Sequence, residues 1–279
     1  MKKTAFLCLM LAAVLYFAGS FWQPLSLGQY GVFGYASARD MTGLQETDQM
    51  PGLSDEAQED QEGSRTDKAG GLSEKGIPPA EFEIIRQMPE LPTGCEITAL
   101  TMMLNYYGYS VDKMTMASEY LPVIPAEFYE GADGRVYGPD MDNFFVGDPS
   151  ASGYICGTGA IRSAADAYLE DRDSALRAKD LTGTPLPELY ALVRDGTPVL
   201  VWVTIGMAER DEVQGWYTAD GRWMEWSRND HGAVLIGCSN AMVTIADPLS
   251  GLRVYSRDRF EHAFVSRGSQ CVALFMQES

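Results

Sequence analysis

The stretch Pro92-Thr-Gly-Cys-Glu96, followed by a helical apolar pattern as far as Tyr107, constrains this chain more than any other. Pro92 ends whatever regular element precedes it, since proline has no N–H to donate and restricts the residue before it. Thr93 and Glu96 have the T-x-x-E spacing of a capping box. With Thr93 as N-cap, Gly94 takes the first helical position and Cys95 the second. Ile97, Leu100, Met103, Leu104 and Tyr107 then share one face, and Gly108 closes the helix. A thiol in the first turn lies among backbone N–H groups that lack intrahelical partners, at the positive end of the helix dipole. Both favour thiolate, so Cys95 is a candidate nucleophile. The plainer alternative is a cysteine used as a small buried hydrophobe. The presence of a base decides between the two.

The sequence holds two histidines. His262, in Asp258-Arg-Phe-Glu-His-Ala-Phe264, sits on a short amphipathic helix and reads as structural. His231 opens the apolar run Gly232–Cys238. A Ser239-Asn240 turn and a second run, Met242–Ala246, follow, and Asp247-Pro248 ends it. This is the pattern of a β-hairpin. A turn centred near residue 239 pairs positions that sum to 478, and 231 + 247 = 478. His231 and Asp247 are then expected as cross-strand partners with Cβ atoms about 5 Å apart. A carboxylate there fixes one imidazole nitrogen and leaves the other for a thiolate, the arrangement of an activated nucleophile.

These blocks, P-T-G-C-E-x-T-A-L-x-M-x-L-N-Y-Y-G, then F-V-G-D-P with G-Y, P-V-L-V-W-V-T, H-G-A-V-L-I-G and A-D-P, resemble the C-39-like cysteine peptidases. Those are secreted relatives of the bacteriocin-leader peptidases. The similarity runs from about Phe82 to the C-terminus. It implies an α+β, papain-like fold in which a helical part carrying the cysteine packs on an antiparallel sheet carrying the histidine. It also implies roles: Cys95 as nucleophile, His231 as general base and acid, Asp247 as its orienter, and a glutamine upstream of the cysteine in the oxyanion hole. Gln87 is the glutamine near enough. Its spacing, 95 − 87 = 8, requires Met88–Pro92 to loop back. The implied reaction is hydrolysis of peptide bonds through an acyl-enzyme, with no cofactor and no metal. The alternatives are a peptide- or cell-wall-binding module on the same fold, or a thiol transpeptidase or amidase.

The rest of the chain bounds this expectation. The formal net charge of −18 argues against a nucleic-acid partner, since a polyanion needs a basic surface. Met1-Lys-Lys-Thr followed by the apolar run Ala5–Ala18 reads as a signal peptide, with Ala36-Ser37-Ala38 as a cleavage candidate, or as an uncleaved anchor extending through Trp22. Either places the remainder outside the cytoplasm, secreted or at the cell surface, with membrane anchoring in the second case. Residues 1–38 are assigned to this segment. Residues 39–80, rich in Asp, Glu, Gln, Gly and Ser, form an acidic linker too poor in apolar side chains to fold. Residues 81–279 form the peptidase domain, expected to act as a monomer on a peptide or protein substrate.

Within that domain the periodicity predicts a short strand over Glu81–Ile85, a helix over Val111–Tyr120 and an irregular loop over Leu121–Tyr154. Helices follow over Gly159–Leu169 and Leu186–Arg194, then a buried strand over Pro198–Ile205 and an outer strand from Arg222 to Trp226. Asp140, Asp142 and Asp148 match no calcium loop and read as turn residues. Five cysteines without a C-x-x-C pair make no zinc site. One disulfide among Cys156, Cys238 and Cys271 is left open.

Overall fold

Residues 75–277, apart from Ser152, are described by the computed structural model. The signal or anchor segment and most of the acidic linker lie outside the described residues. The domain boundary expected at residue 81 falls inside the fold. Lys75–Gly76 is a strand paired with Gly237 and Cys238, and Ile77 is buried, so the body begins at least as early as Lys75.

In chain order the strands are β1 (Lys75–Gly76), β2 (Val123–Ile124), β3 (Tyr129–Glu130), β4 (Val136–Tyr137), β5 (Phe145–Val146), β6 (Leu176–Asp180), β7 (Val199–Thr204), β8 (Gln214–Tyr217), β9 (Trp223–Trp226), β10 (Asp230–Cys238), β11 (Met242–Asp247), β12 (Gly251–Ser256) and β13 (Cys271–Met276). The longer helices are α1 (Cys95–Tyr106), α2 (Thr158–Glu170), α3 (Leu186–Arg194) and α4 (Arg257–Ser266). The architecture is α+β, as expected. An antiparallel sheet runs β12-β11-β10-β7-β13-β6, with β1 added beside β10. Its central strands β7 and β10 are buried at every position, which is why they read as unbroken apolar runs. Leu200, Trp202, Val234 and Ile236 face the core formed with α1 and α2. Val201, Val203, Ala233 and Leu235 face the core formed with α3 and α4.

Helix α1 is not amphipathic in the expected way. Every residue from Cys95 to Leu104 is buried. Its two threonines are tolerated inside because their hydroxyls donate back along the helix, Thr98 to Gly94 O and Thr101 to Ile97 O, both at 2.7 Å. The long loop is also more ordered than its composition suggests. It supplies β2 and β5, which pair in parallel, and β3 and β4, which complete a second sheet, β3-β4-β8-β9. These strands are two residues long, too short for a local period to mark them. The expected strand at Glu81–Ile85 is absent. A helical turn over Pro79–Glu81 takes its start, and buried Phe82 follows. The expected helix over Val111–Tyr120 is one turn, Lys113–Thr115, capped by Asp112 and widened over Met116–Tyr120. Among the described residues no helix is long and apolar enough to cross a membrane.

Candidate active site

The helix start differs from a capping box. Gly94 is the N-cap and Cys95 the first helical residue. Thr93 turns outward instead, with its hydroxyl 3.3 Å from Asp148 O and 3.4 Å from Ala151 O, so it ties the Phe145–Pro149 segment to the helix start. Gly153 permits this approach, since a Cβ there would stand 2.9 Å from Thr93 Oγ1. Glu96, freed from capping, turns inward and is fully buried.

The Cys95 thiol donates to Glu96 Oε2 at 3.2 Å and accepts from the Gly232 N–H at 3.4 Å. Burial, reinforced by the Glu96 carboxylate, pushes the thiol well above its ordinary range. This reverses the expected activation by the helix start. The dipole is worth about 0.3–1 kcal/mol at a terminus, which burial beside a carboxylate outweighs.

Gly232 explains how helix and strand meet. A Cβ on it would lie 2.8 Å from Glu96 Cγ and 3.0 Å from Glu96 Cα. The absence of a side chain lets β10 press against the first turn of α1 and brings its N–H to the sulfur. Gly232→Ala should therefore push α1 off β10 and destabilise the fold by about 1–3 kcal/mol, the usual cost of overpacking a filled core. Urea unfolding midpoints would show it, and an unchanged midpoint would contradict the close packing.

His231 and Asp247 meet, though not in the expected register. Val234 pairs with Ala246 and Leu235 with Ile245, sums of 480 rather than 478, and a bulge between Leu235 and Gly237 shifts the rest of the ladder by one. Continued toward the open end, this ladder sets Asp247 opposite Ala233, diagonal to His231. The slip is two residues, so the side chains stay on one face. His231 Nε2 lies 2.9 Å from Asp247 Oδ1, leaving Nδ1 as the other ring nitrogen. The same carboxylate oxygen accepts from the Leu249 and Ser250 N–H groups at 2.7 and 3.0 Å. Burial opposes its charge, but His231 and those amides hold Asp247 far below the usual carboxylate range. Burial likewise pulls His231 towards neutrality, and the Asp247 charge outweighs it, holding the imidazole above its ordinary value.

Gln87 is brought to the same place. The Leu91 N–H donates to Gln87 O at 2.9 Å, so Met88–Pro92 does loop back. The Gln87 N–H donates to Pro248 O, next to Asp247, and Lys113 Nζ donates to Gln87 O. The Gln87 side chain is buried, and its Nε2 donates to Pro92 O at 2.9 Å, which leaves one of its two N–H donors. Gln87, Cys95 and His231 line one cleft, walled by Tyr154 and Trp226, whose rings lie 4.9 Å apart. His262 is elsewhere, on the surface, with its Nε2 3.0 Å from a Glu209 carboxylate oxygen.

Three features of this region are not foreseen in the sequence. Glu96 Oε1 accepts from the Cys156 N–H, and Cys156 O accepts from Trp202 Nε1 at 2.7 Å, so a polar relay crosses the core from β7 to the thiol. Asp230, beside His231, is buried in ion pairs with Arg267 and Arg210 that pin the start of β10. Cys95, Cys156, Cys238 and Cys271 are all free, so no bridge forms among the last three. The T-x-x-E spacing hid the first of these, because it offers Glu96 a capping role that the backbone does not take up.

An α+β body that sets a cysteine at a helix start against a histidine on an antiparallel sheet has the papain-like architecture. The chain belongs to the Peptidase_C39 like family, whose profile matches residues 79–272. It is 33% identical over 202 residues to the uncharacterized protein YvpB of Bacillus subtilis (strain 168), covering 70% of this chain and 75% of that one. It also matches the crystal structure of a protein from Bacillus anthracis assigned as a C39-like peptidase. That match has a TM-score of 0.63 at 33% identity, over 74% of this chain and 100% of the other.

Proposed function

We propose that the protein is an exported cysteine peptidase that hydrolyses peptide bonds through Cys95, His231 and Asp247. The observation that carries this is the convergence of Cys95, His231 and Gln87 on one cleft, with Asp247 holding Nε2 of the imidazole. With Nε2 committed to Asp247, Nδ1 of the His231 imidazolium is the nitrogen that gives the leaving amine its proton. The Cys95 thiolate attacks the peptide carbonyl. The oxyanion is received by the remaining Gln87 Nε2–H and by the Cys95 N–H, which as a first-turn amide has no intrahelical acceptor. His231 then protonates the leaving amine, and the C–N bond breaks to leave a thioester. His231 next takes a proton from water, which attacks the thioester and releases the acid and Cys95. The protein acts as a monomer on peptide or protein substrates, and outside the cytoplasm, for which the basic start and apolar run at its N-terminus speak.

The test is cleavage of an unbiased peptide library by residues 75–277 in the presence of reductant, read by mass spectrometry. New termini with free carboxylates are expected. Termini extended by an amine acceptor would mark a transpeptidase instead, and an untouched library would sink both enzymatic assignments.

A further inference from the structure

Glu96 is a fully buried carboxylate in contact with the reacting sulfur, and the acyl-transfer scheme gives it no task. Its position is fixed from three sides. The Cys156 N–H holds Oε1, the Cys95 sulfur faces Oε2, and Gly232 closes on Cγ with no side chain between. Among the described residues no lysine or arginine forms an ion pair with it, which is unusual for a buried carboxylate.

We propose that Glu96 shares a proton with Cys95: in the resting site the thiol donates to an ionised Glu96, and in the reactive site a protonated Glu96 donates to the thiolate. The two forms differ by moving one proton from Sγ to Oε2, with no net gain or loss. The assignment rests on the peptidase proposal for its consequence in turnover. A thiolate beside an ionised carboxylate would be two like charges about 3 Å apart in a buried place, which strongly disfavours it. Protonating Glu96 removes the repulsion and supplies a hydrogen bond to the sulfur, both on attack and when the thiolate leaves during deacylation.

The groups around Glu96 leave this exchange to few partners. Cys156, packed behind it, is buried and held protonated well above the ordinary thiol range. Asp247 across the site stays ionised, and Arg267 stays cationic. Glu96 is therefore the neighbour of the sulfur whose charge is set by its burial, with His231 held above its ordinary value by Asp247. Burial raises Glu96 to about 7, against the lowering effect of its donors. The sign follows: as pH rises through that range Glu96 ionises, and the thiolate loses its donor and gains a repelling neighbour.

The experiment is the pH dependence of Cys95 alkylation by iodoacetamide, followed by peptide mapping, in wild type and Glu96→Gln. The amide cannot ionise and keeps an N–H for the sulfur. The alkylation midpoint should fall by about one pH unit, with a rate at pH 8 about tenfold above wild type. Coincident midpoints would overturn the proposal. If Glu96→Gln does not fold, the reciprocal measurement serves. The infrared carboxylic-acid band of Glu96 is titrated in wild type and in Cys95→Ala. Without the thiol donor the band should persist to higher pH, and identical midpoints would overturn the proposal. Neither readout needs peptide hydrolysis, so a protein that cleaves nothing yet shows these shifts would reject the peptidase assignment and keep this one.

Discussion

Cys95→Ala is expected to abolish peptide cleavage, with a loss of at least about 10⁴-fold in kcat/KM, and to abolish covalent labelling at residue 95. The size follows from the absence of a substitute within the cleft. The Thr93 hydroxyl is turned to the carbonyls of Asp148 and Ala151, and the Cys156 sulfur is fully buried behind Glu96. The fold should survive, because the change removes a single atom, Sγ, whose hydrogen bonds are to the Glu96 carboxylate and the Gly232 N–H. Alanine is also the best helix former for that position. Parallel measurement of cleavage, labelling and far-ultraviolet circular dichroism separates chemistry from folding. Cleavage within tenfold of wild type by a folded variant would move the nucleophile away from Cys95.

The framework of this site was legible because it rests on local rules. The apolar run over Val199–Thr204 has no polar interruption and is a strand buried on both faces. Leu186–Arg194 has a proline near its start and a glycine past its end, and its helix has those bounds. His231 and Asp247 were found by hairpin pairing even though the ladder is two residues out of the expected register. An even slip preserves the face, and the face is what the pairing argument needs. Other parts were hidden because long-range contacts decide them. β6 carries Arg177, Lys179 and Asp180 and becomes a strand by pairing with β13. β12 is an exposed edge strand without a buried alternation, held by β11. Glu96 shows the same limit within the site. Its spacing from Thr93 satisfies a capping motif, but Thr93 is drawn to the Asp148–Ala151 carbonyls, which come from a segment some fifty residues away. Once that happens the glutamate has no reason to face solvent. Tertiary contacts then give it the thiol as neighbour, and the electrostatics of Cys95 reverse from what the helix start alone would dictate.

Asp247→Asn should separate orientation from charge. The asparagine keeps the size of the side chain and an oxygen for the Leu249 and Ser250 N–H groups, so the turn after β11 should hold. It removes the charge that stabilises an imidazolium at His231 and admits the opposite ring tautomer. Turnover should fall by about 10²–10⁴-fold with little change in KM, since the lost interaction grows only as His231 takes a proton. The stability effect has a defined pH window. Asp247 is held below its unfolded value, so its contribution is present above an unfolded pKa of about 3.9 and is lost as pH falls through the folded value. His231 is held above its own, so its contribution is full below about 6.5 and is lost as pH rises through the folded value. The pair therefore stabilises most between about pH 4 and 6.5. Both side chains are nearly inaccessible, at 3% and 5% exposure, so breaking the pair there should cost about 3 kcal/mol. The difference in urea midpoint between wild type and Asp247→Asn should be large at pH 5.5 and shrink at pH 2.5. A difference that is the same at both values would show that the two side chains touch without sharing charge, and the orienting role of Asp247 would go with it.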